Sequence, residues 1–211
     1  MSKQGFYIKP LKSEDLDSIV SIHLAAFPDS ALSMLGRSAV ARYYKWRLCD
    51  TLQAVRIGAY INCDLVGYCI GGAKEKSLLD FVRENKNFLL WQALLHPRAF
   101  FSSTVFRRAR LVLKSFPGLL RIFRERPQKE LPSDLVSVCI LVVAVHPSFQ
   151  GMGIGKALMV EAENMSYRLG ARRMYLVVRP DNHRAIVFYE RLGWVKAFRE
   201  GFWDGRMYKI F

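Results

Sequence analysis

The chain has 211 residues, 51% of them hydrophobic, which is enough to bury the core of one large domain without disulfides or a structural metal. The longest nearly apolar run, residues 135–145, is too short to span a membrane. A formal net charge of +14 favours an anionic partner, but composition does not choose among a nucleotide cofactor, a phosphorylated substrate, nucleic acid and a membrane surface.

The four cysteines form no CxxC pair, and no Cys/His cluster has zinc spacing. The N-terminus lacks the apolar core of a signal peptide. We therefore expect reduced, buried thiols, no metal site and a cytoplasmic protein.

The first third of the chain predicts a strand, two helices and a hairpin. Residues 5–10 read as the first strand, and Ser13 as the N-cap of a helix that ends at Phe27-Pro28-Asp29. Residues 52–61 and 65–73 read as two strands joined through a turn at Asn62-Cys63-Asp64. In the second helix, four residues share an apolar face: Leu35, Ala39, Tyr43 and Trp46.

Residues 74–130 differ from their surroundings because they carry 13 Lys or Arg against 5 Asp or Glu. Within them, apolar positions from Phe101 to Phe116 recur at helical spacing opposite a basic face. Prolines and a Pro-Gly pair divide the stretch into about three helices.

The last third begins with a β-rich run, 135–146, and a glycine-rich turn. A helix from Ile154 follows, closed by Gly170, and then a strand at 173–179. Asn182 caps a short helix, and the tail reads as two strands turning near Asp204-Gly205.

The turn from Gln150 to Lys156 suits phosphate binding, because a helix start exposes unpaired N–H groups and glycines let an anion approach them. It is not a P-loop, since Gln150 stands where the first glycine belongs and Ala157 follows Lys156. The dinucleotide fingerprint is weakened, because the third glycine is out of step and Arg172-Arg173 occupy much of the region expected for an acid.

Two segments instead resemble the GNAT acyltransferase superfamily. Val143-Ala144-Val145-His146-Pro147 leads into Gln-x-x-Gly-x-Gly, and the segment from Asn182 to Trp194 is similar to the family's second motif. The resemblance implies an α/β fold with a central mixed sheet of six to seven strands flanked by helices. Residues 1–211 would form one domain, with 74–130 as a helical insertion between strands 3 and 4.

The resemblance also implies acetyl-CoA as cosubstrate, with the 139–145 strand splaying from its neighbour to pair with the pantetheine arm. Tyr189 would be the general acid that protonates the leaving thiolate. The residues implied in cofactor binding are Val143, Val145, Gln150, Gly151, Met152, Gly153, Ile154, Gly155, Lys156 and Asn182.

The general base stays open. Many family members carry a glutamate on the strand before the turn, whereas residues 137–141 of this chain hold no acid. Asp134 lies at the start of that strand, and His23, Asp29 and His146 are further candidates. In the early helices, Tyr43, Tyr44 and Trp46 either contact the acceptor or belong to the core, and a core role is favoured for Tyr43 and Trp46.

The expected reaction is direct transfer of an acetyl group to a primary amine in a ternary complex, with an amino sugar on a nucleotide or lipid carrier as one acceptor class. The alternatives are a non-catalytic acyl-CoA sensor and an enzyme acting on a protein or RNA amine. The basic insertion completes the core, covers an anionic acceptor, or contacts a membrane through residues 86–126 at its inner surface. Nucleic-acid binding is disfavoured because no recognised motif is present.

Overall fold

The computed structural model of the protein describes residues 5–49, 55–72, 78–95, 137–199 and 201–211. These residues build one seven-stranded sheet in the order β1-β2-β3-β4-β5-β7-β6. Its strands are β1 (Tyr7–Pro10), β2 (Val55–Ile61), β3 (Asp64–Gly72), β4 (Ser137–Val145), β5 (Arg173–Val177), β6 (Val195–Arg199) and β7 (Phe202–Ile210). Only β4 and β5 run parallel, so the sheet is mixed and the predicted fold class is confirmed.

Helices cover both faces of the sheet and give two separate hydrophobic cores. The described helices are α1 (Leu16–Ala26), α2 (Ala31–Met34), α3 (Arg37–Leu48), α4 (Leu78–Glu84), α5 (Lys86–Leu95), α6 (Ile154–Arg168) and α7 (His183–Arg191). Side chains of α6 and α7 pack on one face. Side chains of α1 and α3 pack on the other. Along β3 the side chains alternate between them, since Cys69 joins the first core while Tyr68 and Ile70 join the second.

The start of α1 differs from its prediction. Ser13 lies inside a short 3-10 turn, and Lys12 precedes that turn as its cap. The backbone N–H of Lys12 donates to the Asp15 carboxylate at 2.7 Å. The turn is therefore closed from its inner end. The carboxylate of Asp15 accepts the backbone N–H of the cap residue, as the acid of a capping box does.

The hairpin is confirmed, with a two-residue turn at Asn62-Cys63 between β2 and β3. Both residues have positive φ, 47° and 74°, as a type I′ turn requires. The turn leaves Cys63 exposed, and Cys49 at the end of α3 is exposed too. The expectation of four buried thiols is thus correct only for Cys69 and Cys139.

The predicted buried face of α3 is right at Ala39, which is fully buried, and wrong at its other three residues. Tyr44 is fully buried, whereas Tyr43 and Trp46 are half-buried, and Leu35 precedes the helix. Tyr43 and Trp46 instead flank Phe81 of α4, with ring centroids 5.3 and 5.4 Å away. The sequence pattern does not indicate which later helix packs against α3, so it does not predict this contact.

The chain between β3 and β4 confirms the predicted position of the insertion. Its described part, residues 78–95, contains α4 and α5. The predicted basic helix from Phe101 to Phe116 lies outside the described residues, as does Asp134.

The C-terminal tail turns earlier than predicted. Strands β6 and β7 join through Gly201, which has a φ of 77°, and not at Asp204-Gly205. Gly205 lies within β7, where a Cβ would overlap the carbonyl oxygen of Val178. The Asp-Gly pair therefore marks a close approach between β7 and the end of β5, which a turn signal in sequence does not distinguish.

Candidate functional site

The sheet opens between β4 and β5. The two strands pair in parallel from Ser137–Arg173 to Ile140–Leu176, and the pairing ends there. Strand β4 continues beside β3 as far as Val145, while β5 continues beside β7 as far as Val177. The predicted splay is present, and it begins after Ile140.

Backbone direction places two predicted residues on the open side. The N–H of His146 donates to Val66 on β3, so residues 143 and 145, at odd steps from it, turn their backbone groups away from β3. Val143 thus presents its N–H and C=O groups, and Val145 its N–H group, to the cleft between β4 and β5. An extended amide chain can pair with such groups as an added strand does.

The glycine turn stands at the end of β4, directly beside this cleft. Gly151 and Gly153 have φ of 83° and 84°, which favours glycine over any residue with a side chain. A Cβ at either position would meet no atom within 4 Å, so the turn needs these glycines for conformation and leaves open space in front of it. Gly153 is the N-cap of α6.

The start of α6 has the electrostatics of an anion site. Its first turn contains no acid, and Lys156 is exposed there. The first turn also holds Ile154 and Gly155, whose N–H groups are at the positive end of the helix dipole. Met152 is 41% exposed at the tip of the turn, so it can flank a ligand without filling the core.

Gln150 has a structural role beside its predicted contact with phosphate. Its side-chain amide donates to the Val145 carbonyl at 3.1 Å. This bond ties the glycine turn to the end of β4 and leaves the second amide N–H of Gln150 available to a ligand.

Helix α7 begins at the other side of the cleft. The Asn182 side chain accepts the N–H of Ala185 at 3.1 Å, which confirms the predicted cap. Phe188 of α7 packs over Gly155, where an added Cβ would lie 3.5 Å from its ring. The start of α6 is therefore in contact with the second turn of α7.

Tyr189 is half-buried against Phe188 and Trp194. Burial raises the pKa of its phenol well above its ordinary value, with a smaller contribution from Cys69 of β3. The phenol thus stays protonated at neutral pH, and the same shift makes it a weaker acid than a phenol in water.

Cys69 lies opposite Val143 in the sheet, so we considered its thiol as a nucleophile. It is fully buried, and burial raises its pKa to about 12. A thiol in this state carries no thiolate at neutral pH, so it packs as a small apolar group. Transfer through a cysteinyl intermediate is therefore disfavoured at this position.

On the opposite face, His23 belongs to a buried chain of hydrogen bonds. Its Nδ1 lies 2.8 Å from the Tyr44 hydroxyl, which lies 2.6 Å from the Tyr68 hydroxyl. These three side chains are at most 7% exposed. Burial lowers the pKa of His23 to about 4, so the imidazole is neutral at physiological pH.

The donor in each of these hydrogen bonds can be assigned by starting from the serine end of the network. The Ser33 hydroxyl donates to the Phe27 carbonyl at 2.7 Å, and the Ser30 hydroxyl donates to Ser33 at 2.8 Å. Ser30 Oγ therefore accepts from His23 Nε2 at 3.2 Å. A neutral imidazole carries one N–H, so Nδ1 is an acceptor and the Tyr44 hydroxyl donates to it.

It follows that Tyr68 donates to Tyr44, and that all protons run from β3 toward the loop after α1. His23 is thus a fully engaged neutral residue that anchors this loop. Its low pKa makes it a poor proton acceptor, which weakens its case as the general base.

The other base candidates occupy different positions. His146 is half-buried, with Nδ1 accepting the N–H of Ser148 at 3.3 Å. Asp29 is exposed and interacts electrostatically with Arg179 after β5, which also pairs with Asp181 at 2.6 Å.

Sequence reasoning missed Tyr68, Ser30 and Ser33 as members of one network. Their sequence separations are long or irregular, so no local periodicity marks them. The one available signal was a tyrosine in the middle of an apolar strand, since a buried phenol needs a hydrogen-bond partner.

A surface cavity of about 610 Å³ lies elsewhere, between β1, β2 and the C-terminal half of α6. Ile8, Lys9 and Arg168 are among its lining residues, and none of the predicted cofactor residues is. The candidate site therefore rests on the strand splay and the glycine turn.

A sheet that opens beside a glycine-led helix start can receive a ligand with an extended amide chain and a phosphate, as α/β proteins that bind such cofactors do. Comparison with known proteins narrows the class. The model of the acetyltransferase (GNAT) family matches residues 122–194. A mycothiol acetyltransferase from Paenarthrobacter aurescens is 39% identical over 57 residues, which are 27% of this chain and 18% of that protein. This chain thus spans about a fifth of the length of that curated relative.

Two solved structures share the fold over nearly the whole chain. A PaiA N-acetyltransferase from Thermoplasma acidophilum in complex with coenzyme A has a TM-score of 0.55 and 14% identity, covering 98% of this chain and 99% of that one. The yncA acetyltransferase of Salmonella typhimurium, with acetyl-CoA, has a TM-score of 0.54 and 16% identity, covering 97% and 93%. The chain is therefore similar to the GNAT family over residues 122–194, about a third of its length, and shares the fold of these two structures.

Proposed function

We propose that this protein binds acetyl-CoA in the cleft between β4 and β5 and transfers the acetyl group to a primary amine. The observation that carries the proposal is the continuity of the splayed strand with the glycine turn. Val143 offers its N–H and C=O groups and Val145 its N–H group, and the start of α6 follows within ten residues. An amide-containing arm and a pyrophosphate fit these two features in that order.

Transfer needs one bond made and one broken. The amine nitrogen attacks the thioester carbonyl, the C–N bond forms, and the C–S bond breaks to release a thiolate. Tyr189 donates its phenolic proton to that sulfur. The proton lost by the amine restores the phenol through solvent, so the products are an amide and the CoA thiol.

The acceptor we infer is a small amine that carries negative charge. The net charge of +14 favours such a ligand. The described helices of the insertion pack against α3, which lies on the opposite face of the sheet from α6. An amine on a nucleotide or a lipid carrier has the required character. The basic residues would then contribute to KM for the acceptor and little to the chemical step.

Tyr189→Phe tests the catalytic assignment. We expect kcat to fall roughly 100-fold or more with little change in KM for acetyl-CoA, because positioned proton transfer contributes about 10²–10⁴ in rate. Release of CoA thiol with a panel of neutral and anionic amines is the measurement.

Tyr167→Phe is the matched control, since Tyr167 is 66% exposed on α6. Equal turnover of the parent and Tyr189→Phe would remove Tyr189 from the mechanism. Acetyl-CoA binding without turnover of any amine would instead favour an acyl-CoA sensor.

A further inference from the structure

Helix α5 exposes apolar side chains to solvent and buries a polar one. Four of its apolar side chains point outward, with exposures of 65% (Leu90), 61% (Trp91), 75% (Leu94) and 55% (Leu95). Its polar Gln92, by contrast, is only 8% exposed, and Asn85 immediately before the helix is 9% exposed. A surface helix of a globular protein ordinarily shows the reverse arrangement.

The four exposed residues form one continuous strip. Their spacing of one, three and one residues places them on the same side over a little more than one turn. Trp91 and Leu94 lie near its centre. We call these four residues the α5 strip.

The inner side of the same helical pair is firmly anchored. Arg42 of α3 donates to the Asn85 side chain at 2.6 Å and lies over the Phe88 ring at 4.4 Å. Phe81 of α4 is 1% exposed against α3. Because these contacts fix the rotation of α5, the α5 strip cannot turn inward without breaking them.

Charge indicates what the α5 strip contacts. Helix α5 contains no acid, and Lys86 at its start is exposed. The sequence that continues from its end, residues 96–130, holds nine Lys or Arg against two Glu. An apolar strip with a central tryptophan and an adjoining basic sequence matches the interface of an anionic bilayer.

Other partners fit these features less well. A nucleic acid uses the positive charge but gives four exposed aliphatic and aromatic side chains nothing apolar to contact. A second copy covers the α5 strip but brings two chains of +14 together. No described helix is both long and apolar enough to cross a membrane, and a ten-residue helix suits contact along the surface.

We propose that the α5 strip docks this protein onto an anionic lipid surface. The docking does not depend on the proposed acetyl transfer. Since α4 and α5 pack on α3, the contact would set the orientation of that face of the domain relative to the bilayer.

The test is co-sedimentation of the full chain with vesicles of phosphatidylcholine alone, or with 30 mol% phosphatidylglycerol, at about 0.15 M NaCl. We expect partitioning at least about tenfold higher on the anionic vesicles, falling at about 0.5 M NaCl. Trp91→Ser combined with Leu94→Ser should lower the partitioning about tenfold or more.

Phe198→Ser combined with Phe202→Ser is the matched control, because these side chains are 64% and 73% exposed on the β6–β7 hairpin. It should stay within about twofold of the parent. Quenching of parent tryptophan fluorescence by brominated lipid, reduced in a Trp91→Phe variant that still binds, would locate the contact on α5.

Three results would overturn the proposal. The first is failure of the parent to bind anionic vesicles, and the second is equal binding of the parent and the Trp91→Ser/Leu94→Ser variant. The third is a lipid-free dimer, measured by light scattering, that this variant alone abolishes, since it would assign the α5 strip to a second copy.

Discussion

The two faces of the sheet carry polar chemistry of different kinds. On the α6 and α7 face, the groups available to a ligand belong mainly to the backbone, at Val143 and in the turn from Gln150 to Gly153. On the α1 and α3 face, side chains of Tyr68, Tyr44 and His23 satisfy one another in a buried chain. The first face is built to receive an outside partner, and the second is already complete.

This difference leads to different expectations for substitutions. Changes on the α6 face should weaken ligand binding and leave the fold nearly intact. Changes in the buried chain should lower the free energy of unfolding, because they leave polar atoms without partners. Four predictions probe that contrast.

The largest effect is expected at Gly153. Gly153→Ala forces a side chain into a φ of 84° and shifts the N–H groups that would hold a phosphate. Each charge-assisted hydrogen bond contributes about 1.5–3 kcal/mol, so we expect CoA affinity to fall roughly 10- to 100-fold by calorimetry.

Gly170→Ala is the control at the other end of α6. Gly170 has a φ of 79° and equally open surroundings, so the backbone strain is matched. Both variants should melt at similarly lowered temperatures, and only Gly153→Ala should bind CoA weakly. Parallel loss of CoA binding in both would show that the effect is one of stability.

The second prediction concerns the buried chain. His23→Phe removes the acceptor of the Tyr44 hydroxyl and the donor to Ser30. We expect the free energy of unfolding, measured in urea, to fall by about 2–3 kcal/mol, as for a buried polar group left unsatisfied.

Ser21→Ala on the same helix serves as comparison, because Ser21 is exposed, and it should cost less than about 0.5 kcal/mol. Tyr44→Phe should lower the free energy of unfolding less when it is made in the His23→Phe variant than when it is made in the parent. Strict additivity would contradict a shared network.

The third prediction uses pH. Burial lowers the pKa of His23 to about 4 in the folded protein, from an ordinary value near 6.5. Below pH 6.5 the unfolded chain takes up a proton that the folded chain refuses, so stability is full above 6.5 and is lost as pH falls toward 4. At pH 5 the expected loss from this residue is about 2 kcal/mol.

The measurement is urea unfolding at pH 7 and pH 5 for the parent and for His23→Gln. The variant should lose less stability over this interval than the parent. An identical loss in both would mean that His23 does not carry the pH dependence.

The smallest effect is expected at Gln150. Gln150→Ala removes the hydrogen bond to the Val145 carbonyl, which contributes about 1 kcal/mol. KM for acetyl-CoA should rise roughly fivefold at constant kcat. Ser148→Ala in the same turn is the control, because only the backbone N–H of Ser148 takes part in the turn. A fall in kcat in Gln150→Ala alone would assign Gln150 a part in the chemical step.

Much of the α6 face could be predicted because its chemistry is local. Glycines at fixed register, the cap at Asn182 and the apolar run of β4 each encode their conformation within a few residues. Helix ends were less secure, since Lys12 with Asp15 replaced the expected Ser13 cap. An Asp-Gly pair was likewise taken for a turn, although contact with Val178 explains Gly205.

The buried chain could not be predicted because it is assembled by tertiary contacts. His23 and Tyr44 are separated by 21 residues, and Tyr44 and Tyr68 by 24. Helical periodicity also placed Tyr43 on the core side of α3, whereas packing against Phe81 took up that residue and left Tyr44 to face the sheet. Local sequence patterns do not indicate that α4, a helix of the insertion, packs against the earlier helix α3.

The unequal pairing of β4 has a consequence for handling the protein. Among the described residues, β4 has a neighbouring strand on one side only from Leu141 to Val145, so the sheet contains an interior notch that the backbone groups of Val143 and the N–H of Val145 face. A bound pantetheine arm would act there as a surrogate eighth strand. At a concentration 100 times its Kd it would add about 2.7 kcal/mol of stability, which makes CoA a useful additive during purification.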